Sequence, residues 1–319
     1  MRIVNTCQYA HLPDEHPAVQ RVLAKAEFVT CEKAKLTSEE LLEFVQGADA
    51  LISGTDYIRA DLIEKFPKSL KVISRPAVGF DRVDIVAARA HGIDVCNAPG
   101  SNCESVADYI ICMMIAAARD MYNNISDVRN GKWGVRQKGV GLKGKTVGIV
   151  GLGAIGRAVT QRCHGFSMKI VAYDPYLDYD FCAENAVTPM TLDELLGCSD
   201  FIVLAMPLND STYHMINADA ISKMKDGVII ANDARGGVVD AAAMVEGLRS
   251  GKVRFYATDV MEAEPPTADD PLLRLDNVIV SSHIGAETID ASCNMLAMAL
   301  NNATVSYTHL RAHETGRNL

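Results

Sequence analysis

Arg235, Glu264 and His283 have the side-chain types that a combined transfer of a proton and a hydride would need. Reduction of a 2-oxo acid requires a cation for the carboxylate and ketone, and an acid that protonates the developing alkoxide. A guanidinium suits the first task because it binds a carboxylate in bidentate fashion, and an imidazolium suits the second because its pKa lies near working pH. A carboxylate beside the imidazole, the role that fits Glu264, would hold its tautomer and raise its pKa.

Each of these residues also has an ordinary structural interpretation. An arginine after a strand is commonly part of a surface ion pair, a glutamate before two prolines is commonly a solvated loop residue, and a single histidine is often a core residue. Their positions favour a shared site, because each follows an apolar run that predicts a buried strand: 228–231, 255–258 and 278–280. In open α/β sheets, ligands bind outside the carboxyl ends of the strands.

A glycine-rich turn lies upstream of these strands. The apolar run 146–150 predicts a buried strand, G-x-G-x-x-G follows at 151–156, and a second predicted strand, 169–173, leads to Asp174. In a dinucleotide site, Gly151 would permit the turn, Gly153 the approach of the pyrophosphate, and Gly156 close helix packing. Asp174 would accept hydrogen bonds from the adenosine ribose and repel a 2′-phosphate, which predicts NAD rather than NADP.

The spacing of the apolar runs predicts an α/β protein with two doubly wound parallel sheets. In the first hundred residues, strands are expected at 3–5, 28–30, 50–53, 72–74 and 93–96, and Thr37–Glu40 has the pattern of a helix capping box. The breaker cluster 97–102 marks the first domain boundary. One long helix is expected at about 105–129; with the loop to Trp133 it forms an arm that could serve as a dimer contact.

Composition limits the classes of partner. The net charge of −9 argues against nucleic acid or an anionic membrane surface as a partner, because both bind basic faces. There is no run of 18 apolar residues, and the chain enters a predicted strand at once without a leader pattern, so a cytoplasmic enzyme is expected. The nine cysteines include no C-x-x-C pair, and we expect reduced thiols and no metal site.

Several motifs resemble those of the NAD-dependent D-isomer-specific 2-hydroxyacid dehydrogenases, the family that includes D-3-phosphoglycerate dehydrogenase. The likeness runs from about residue 40 to about residue 300. The matching segments, in order, are Val78-Gly79-Phe80-Asp81, Asn97–Asn102 with Ser105-Val106-Ala107, Gly151–Gly156, Ala234–Gly237, Asp259-Val260 with Glu264-Pro265, and His283-Ile284-Gly285. The resemblance implies a Rossmann NAD-binding domain, 100–285, inserted into a flavodoxin-like substrate-binding domain, 1–99 plus 286–304.

The resemblance also implies roles for individual residues. Arg235, Glu264 and His283 would be catalytic, and Arg235 and His283 would also contact the substrate. The backbone amides of Val78 and Gly79 would bind the substrate carboxylate, and Asn102 is assigned to the same site. Asp259 would contact the nicotinamide amide. The remaining residues assigned to the cofactor are Gly151, Gly153, Ala154, Ile155, Gly156, Asp174, Met206, Pro207, Asp233, Ala234 and Gly285. A homodimer is the family expectation.

The sequence departs from the family pattern at a few positions. Ser282 stands where a proline usually precedes the histidine, Ala77 replaces a usual glycine, and Asp108 replaces a usual glutamate. The loop Ser53–Asp56 lacks the arginine that phosphoglycerate-specific members tend to carry, and Arg59 or Lys138 is the alternative source of a cation. We expect 3-phosphoglycerate slightly ahead of hydroxypyruvate, glyoxylate or another small 2-oxo acid as the substrate.

Two further interpretations concern the tail and the function class. Residues 305–319 break the apolar periodicity of the preceding helix and resemble translated sequencing-adapter sequence, so we expect a non-native tail and assign no role to His309 or His313. The alternative function is an NAD(H)-sensing, corepressor-like binding protein on the same fold. A formate-oxidising enzyme is disfavoured, because formate has no hydroxyl proton for Glu264 and His283 to transfer.

Overall fold

The computed structural model describes residues 1–8, 11–33, 35–80, 82–134 and 136–313, and for 307–313 only the backbone is described. Asp81, which belongs to one of the family motifs, lies outside the described residues. The chain folds as two compact units: a split unit, Met1–Asn102 with Glu287–Leu319, and a central unit, Cys103–Ala286. The sequence had placed these boundaries at 1–99 plus 286–304 and at 100–285.

The split unit contains a five-stranded parallel sheet in the order β2-β1-β3-β4-β5, which is the flavodoxin-like order. Its strands are β1 (Arg2–Asn5), β2 (Glu27–Thr30), β3 (Ala50–Ile52), β4 (Val72–Ser74) and β5 (Asp94–Cys96). Its helices are α1 (Pro17–Leu23), α2 (Ser38–Phe44), α3 (Ala60–Ile63), α4 (Ile85–His91) and α12 (Ile289–His313). The predicted strands are confirmed, and so is the capping box at Thr37 and Glu40.

Helices cover both faces of this sheet. Leu296, Ala299 and Leu300 of α12 pack with α1 against one face. Residues of α2, α3 and α4, such as Leu41, Ile63 and Ala88, pack against the other. The short strands β3 and β4 are buried along their whole length, as expected for central strands of a parallel sheet.

The central unit contains a seven-stranded parallel sheet in the order β12-β11-β10-β9-β6-β7-β8, which is the Rossmann order with one added strand. Its strands are β6 (Thr146–Val150), β7 (Lys169–Tyr173), β8 (Val187–Pro189), β9 (Phe201–Leu204), β10 (Val228–Asn232), β11 (Val253–Thr258) and β12 (Val278–Val280). Its helices are α5 (Cys103–Ala118), α6 (Met121–Arg129), α7 (Ala154–Gly165), α8 (Tyr179–Glu184), α9 (Leu192–Cys198), α10 (Ala218–Lys223) and α11 (Ala241–Ser250).

The chain order along this sheet reverses between β6 and β9, which are paired neighbours. Helices α5 and α7 pack on one face of the sheet and α9, α10 and α11 on the other. The predicted α/β class with two doubly wound parallel sheets is therefore confirmed. A crevice at the carboxyl ends of the strands, beside such a reversal, is the usual ligand site of these folds.

The single long helix expected at about 105–129 is wrong. The segment forms two helices, and the break falls at Arg119 and Asp120. Asp120 is 6% exposed and has φ 50°, a left-handed conformation that interrupts a right-handed helix. The Asp120 carboxylate accepts a hydrogen bond from the Asn123 side chain at 2.7 Å, and the same amide donates to the Asp276 carbonyl. These contacts fix the direction in which α6 leaves the break.

Helix α12 continues beyond Thr304 to His313, so the change of sequence character at Val305 is not a helix end. That residues 305–319 are non-native stays a prediction. Within the described residues, no helix combines the length and the apolar character that a membrane crossing requires.

Candidate active site

Three loops at the carboxyl edge of the central sheet carry the residues singled out by their chemistry. Strands β10, β11 and β12 are parallel neighbours, and the loops after them contain Arg235, Glu264 and His283 respectively. Gly236 lets the first two loops touch, because a Cβ on it would lie 2.0 Å from the carbonyl carbon of Met261. The sheet order thus brings together residues that are far apart in the chain.

His283 and Glu264 form an ion pair with 2.9 Å between Nδ1 and Oε2. The hydrogen bond to Glu264 raises the pKa of His283, against an opposing effect of burial. Burial raises the pKa of Glu264, but the hydrogen bond and charge of His283 outweigh it, so the pKa lies below its ordinary value. The two side chains are 44% and 38% exposed, so the dyad is open to a substrate.

The backbone of His283 is unusual for a residue with a side chain, because its φ is 60°. A left-handed conformation at a non-glycine residue costs energy and persists only where the surroundings enforce it. Two hydrogen bonds to Asp259 flank the histidine. The Ser281 hydroxyl donates to Oδ1 at 2.5 Å, and the Gly285 amide donates to Oδ2 at 2.6 Å. Asp259 therefore fixes the loop that presents His283.

Arg235 belongs to the same electrostatic cluster. Its Nη1 donates to the Ala234 carbonyl at 2.7 Å. The hydrogen bond to Glu264 and burial have the largest effects on the pKa of His283, and the positive charge of Arg235 has a smaller effect that lowers it. The charge of Arg235 also lowers the pKa of Glu264, with a smaller effect than those of burial and the His283 hydrogen bond. A guanidinium near a protonatable imidazole is the arrangement that would bind an anionic substrate next to a proton donor.

The glycine turn is built between β6 and α7 as its spacing predicted. Gly151 has φ 97°, and a Cβ there would lie 2.7 Å from the Ala205 carbonyl oxygen, so the turn packs on the end of β9 just before Met206. A Cβ on Gly156 would lie 2.1 Å from the Gly151 carbonyl oxygen, which makes glycine necessary for helix and turn to pack. Asp174 accepts hydrogen bonds from the amides of Leu152 and Tyr176, both at 2.8 Å.

Comparison with known proteins agrees with this geometry. Residues 111–285 match the family described as D-isomer specific 2-hydroxyacid dehydrogenase, NAD binding domain. A hydroxypyruvate reductase from Thermotoga maritima is 42% identical over 284 residues, which cover 88% of this chain and 91% of the relative. The chain belongs to the D-isomer specific 2-hydroxyacid dehydrogenase family.

Two further members show the range of the similarity. A D-3-phosphoglycerate dehydrogenase from Archaeoglobus fulgidus is 42% identical over 82% of this chain, and the match spans 50% of that protein. The chain thus covers about half the length of the phosphoglycerate dehydrogenases it matches. The crystal structure of a glyoxylate reductase from Paecilomyes thermophila superposes with a TM-score of 0.82 at 30% identity, covering 96% of this chain and 95% of that one.

The central unit is the NAD-binding domain of this family member, and its turn fits the cofactor. Space is open at Gly153, where an added Cβ would meet nothing within 4 Å. No side chain among the described residues caps the N-terminus of α7 at Gly153, so the first-turn amides of Ala154 and Ile155 can face an anion. When bound, NAD supplies the hydride acceptor or donor, and the pyrophosphate would lie on this helix end.

The other residues assigned to the cofactor lie at the same edge of the sheet. Met206 and Ala234 are each 7% exposed, and Pro207 is exposed, with its carbonyl accepting from the Thr212 hydroxyl at 2.6 Å. Asp233 is 8% exposed and Gly285 is buried. Their contacts with NAD stay predictions. In the described part of the chain, no cluster of three or more His, Cys, Asp or Glu side chains is placed to hold a metal.

The residues predicted to bind substrate through the backbone lie in the split unit. The Val78 carbonyl accepts from the Asn97 side chain at 2.8 Å, and the Gly79 carbonyl accepts from Arg75 Nε at 3.2 Å. These bonds tie the segment to its own unit. The Oδ1 atom of Asn102 is buried and has no hydrogen-bond partner among the described residues, which suits an atom that would bind a ligand.

Two features of these sites were missed in the sequence, although Arg59 had been named there as a cation for the loop Ser53–Asp56. Arg82 and Arg59 both lie over the ring of Tyr57, at 4.9 and 5.3 Å from its centre, beside the loop Ser53–Asp56. Arg59 is close to Tyr57 in the chain but Arg82 is distant from it, so spacing did not show that two cations share one ring. The second missed feature is the environment of Asp233, in which burial, invisible in the sequence, decides the charge.

Proposed function

We propose that the protein is an NAD-dependent dehydrogenase that interconverts a D-2-hydroxy acid and its 2-oxo acid. The observation that carries the proposal is the 2.9 Å pair of His283 and Glu264 at the carboxyl edge of the NAD-binding sheet, with Arg235 in the same cluster. The relatives named above are reductases and dehydrogenases of such acids. A corepressor-like protein that only binds NAD(H) would not need this acid–base geometry.

The three residues divide the chemistry of reduction. Arg235 holds the substrate carboxylate and polarises the ketone. Because Nδ1 of His283 faces Glu264, Nε2 is the nitrogen that donates a proton to the oxygen as the C–H bond forms. Glu264 keeps the imidazole protonated until that step, since its hydrogen bond raises the pKa of His283. In the oxidative direction the same nitrogen accepts the hydroxyl proton.

The substrate pair is a small 2-hydroxy acid and its 2-oxo acid, of the 3-phosphoglycerate or hydroxypyruvate and glyoxylate type. Arg82 Nη1 donates to the Thr55 carbonyl at 2.7 Å, which holds its guanidinium against the loop Ser53–Asp56. With Arg59 over the same tyrosine, two cations adjoin a loop that has no arginine of its own. This charge favours the substrate with a phosphate, because phosphate binds guanidinium strongly.

Absorbance at 340 nm with NADH and a panel of 2-oxo acids tests the function. Turnover of phosphohydroxypyruvate, hydroxypyruvate or glyoxylate is expected. If phosphate is read by Arg82, Arg82→Gln raises KM for the phosphorylated substrate by about tenfold and leaves KM for glyoxylate unchanged. Tight NADH binding without turnover of any acid would instead support the corepressor-like sensor.

A homodimer is part of the proposal. Helix α6 and the loop after it expose five apolar side chains, from 43% for Met121 and Val128 to 92% for Trp133, with Tyr122 and Ile125 between them. Residues 121, 125 and 128 recur at helical spacing, so they share one face that a second copy would bury. Sedimentation velocity should show a dimer that Ile125→Asp converts to monomer, whereas a monomeric wild-type protein would refute this assignment.

The proposed location is the cytoplasm. All nine cysteines are free thiols, and Cys7, Cys31, Cys163 and Cys182 are buried. This is the state expected in a reducing compartment. Partners other than the small-molecule substrate, such as nucleic acid or a membrane, are disfavoured by the net charge of −9.

A further inference from the structure

Asp233 is a buried carboxyl group that the reaction described above does not use. It follows β10 directly and is 8% exposed. Its Oδ2 atom is buried and has no hydrogen-bond partner among the described residues. Gly285 closes over it, since a Cβ on that glycine would lie 2.2 Å from Oδ2. An ionised oxygen in such a place is costly, because neither water nor a donor compensates its charge.

A second buried carboxylate lies nearby, and the two are in unequal surroundings. Asp259 is 1% exposed, and both of its oxygens accept hydrogen bonds, from Ser281 and from Gly285. Asp233, whose Oδ2 atom has no such donor, is therefore the carboxyl group of the two that burial disfavours in its charged form. Burial, and then the charge of Asp259, raise the pKa of Asp233 to about 8, while His283 and Arg235 act to lower it.

The remaining titratable group facing this pair is on helix α5. The Tyr109 hydroxyl is hydrogen-bonded to Ser281. Burial raises the pKa of Tyr109, and the charges of Asp259 and Asp233 raise it to a smaller extent. The groups around Asp233 are therefore Asp259, His283, Arg235 and Tyr109. Tyr109 is neutral near pH 7, so after burial the neighbours that act on the pKa of Asp233 are Asp259, His283 and Arg235.

We propose that Asp233 senses the redox state of the nicotinamide, releasing its proton when the oxidised ring binds and keeping it when the reduced ring binds. The inference rests on the proposed function, which puts the reacting carbon of the nicotinamide beside His283. The oxidised ring is cationic and favours a carboxylate close to it, whereas the reduced ring is neutral and favours the acid. In the linked step the Asp233 O–H bond breaks and the proton passes to the solvent.

NAD⁺ prefers the ionised form of Asp233. The affinity for NAD⁺ therefore rises with pH up to the pKa of Asp233 in the cofactor-free protein, about 8, and is constant above it. NADH prefers the neutral acid, so its affinity is constant below that pH and falls above it. Between pH 6 and 8 we expect the Kd of NAD⁺ to fall about fivefold or more, with little change for NADH.

Isothermal titration calorimetry in phosphate and in Tris at pH 7 measures the proton directly, because the two buffers differ in ionisation enthalpy. Wild-type protein should release about half a proton or more per NAD⁺ bound, and close to none per NADH. Asp233→Asn keeps the shape of the neutral acid and should abolish the release. The matched control is Asp226→Asn, an exposed carboxylate before the other end of β10, which should behave as wild type.

His283 is the competing source of a proton, since a cationic ring also repels an imidazolium. If release persists in Asp233→Asn and is lost in His283→Gln, the proton comes from His283 and the inference is overturned. Wild-type protein that binds NAD⁺ without releasing a proton overturns it equally, even if Asp233→Asn does not fold. Turnover of 2-oxo acids by the wild type is scored separately, so failure of the proposed function is distinguishable from failure of the inference.

Discussion

Among its described residues, the central unit contains two histidine–glutamate pairs whose glutamates, Glu262 and Glu264, belong to one loop. His283 Nδ1 lies 2.9 Å from Glu264, and His214 Nε2 lies 3.4 Å from Glu262. Both histidines have positive φ angles, 60° and 48°. His214 is the less exposed of the two, at 31% against 44%. Neither pairing, backbone strain nor burial alone therefore separates the proposed catalytic dyad from the other pair.

The surroundings distinguish the pairs. His283 follows a strand end and shares its cluster with Arg235, Asp259 and Asp233. His214 stacks on the neighbouring Tyr213 ring at 3.9 Å, and the Tyr213 hydroxyl also donates to Glu262 at 3.3 Å. The first pair has a guanidinium for an anionic substrate, and the second resembles a structural contact. A dyad becomes catalytic through what else faces its open nitrogen.

The largest expected effect on activity comes from replacing the histidine of the His283–Glu264 pair. His283→Ala should lower kcat for 2-oxo acid reduction by at least about 100-fold and leave the Kd of NADH nearly unchanged, because only the proton donor is lost. His214→Ala should stay within about twofold of wild type. Steady-state rates at 340 nm and NADH fluorescence titration measure both. Equal losses in the two variants would remove the distinction between the pairs.

A smaller effect is expected from replacing Arg235, the cation beside the proposed catalytic pair. Arg235→Lys retains the charge but loses the bidentate geometry, so kcat/KM for the 2-oxo acid should fall by about tenfold or more. NADH affinity should hardly change. Arg249→Lys, at an exposed ion pair with Glu246, is the control for arginine replacement. An unchanged kcat/KM in Arg235→Lys would contradict the proposal that Arg235 binds the substrate carboxylate.

A third variant separates cofactor binding from the chemistry of either pair. Asp174→Ala should raise the Kd of NADH by about tenfold and reduce discrimination against NADPH, because it removes the carboxylate proposed to accept from the ribose and repel a 2′-phosphate. Its kcat at saturating NADH should remain near the wild-type value. If cofactor preference does not move, the adenosine is recognised elsewhere.

Sequence predicted the local elements well. The contact of Gly156 with Gly151 and the capping box at Thr37 are interactions among residues less than ten positions apart, so their patterns suffice. The strand-end cluster was predictable in its membership, because parallel strands align their carboxyl ends. The distances within this cluster were not predictable, since they depend on the close contact of Gly236, which has no Cβ, with Met261.

The failures have a common cause in tertiary contacts. The break at Asp120 depends on a hydrogen bond from Asn123 to the distant Asp276 carbonyl, and no helix propensity reports that. The protonation of Asp233 depends on burial under Gly285 beside Asp259. Likewise, only coordinates could show that His214 also has a glutamate partner. Periodicity predicts elements, whereas charge states follow from packing.

The most direct test of the His283–Glu264 dyad is the pH dependence of kcat/KM for reduction in wild type, Glu264→Gln and Glu262→Gln. Reduction needs the protonated imidazole, so the rate falls as pH rises through the pKa of His283, which Glu264 holds above its ordinary value. Glu264→Gln should move this fall to lower pH, and Glu262→Gln should leave it in place. Coincident profiles for all three proteins would contradict the assignment of Glu264 and His283 as the working pair.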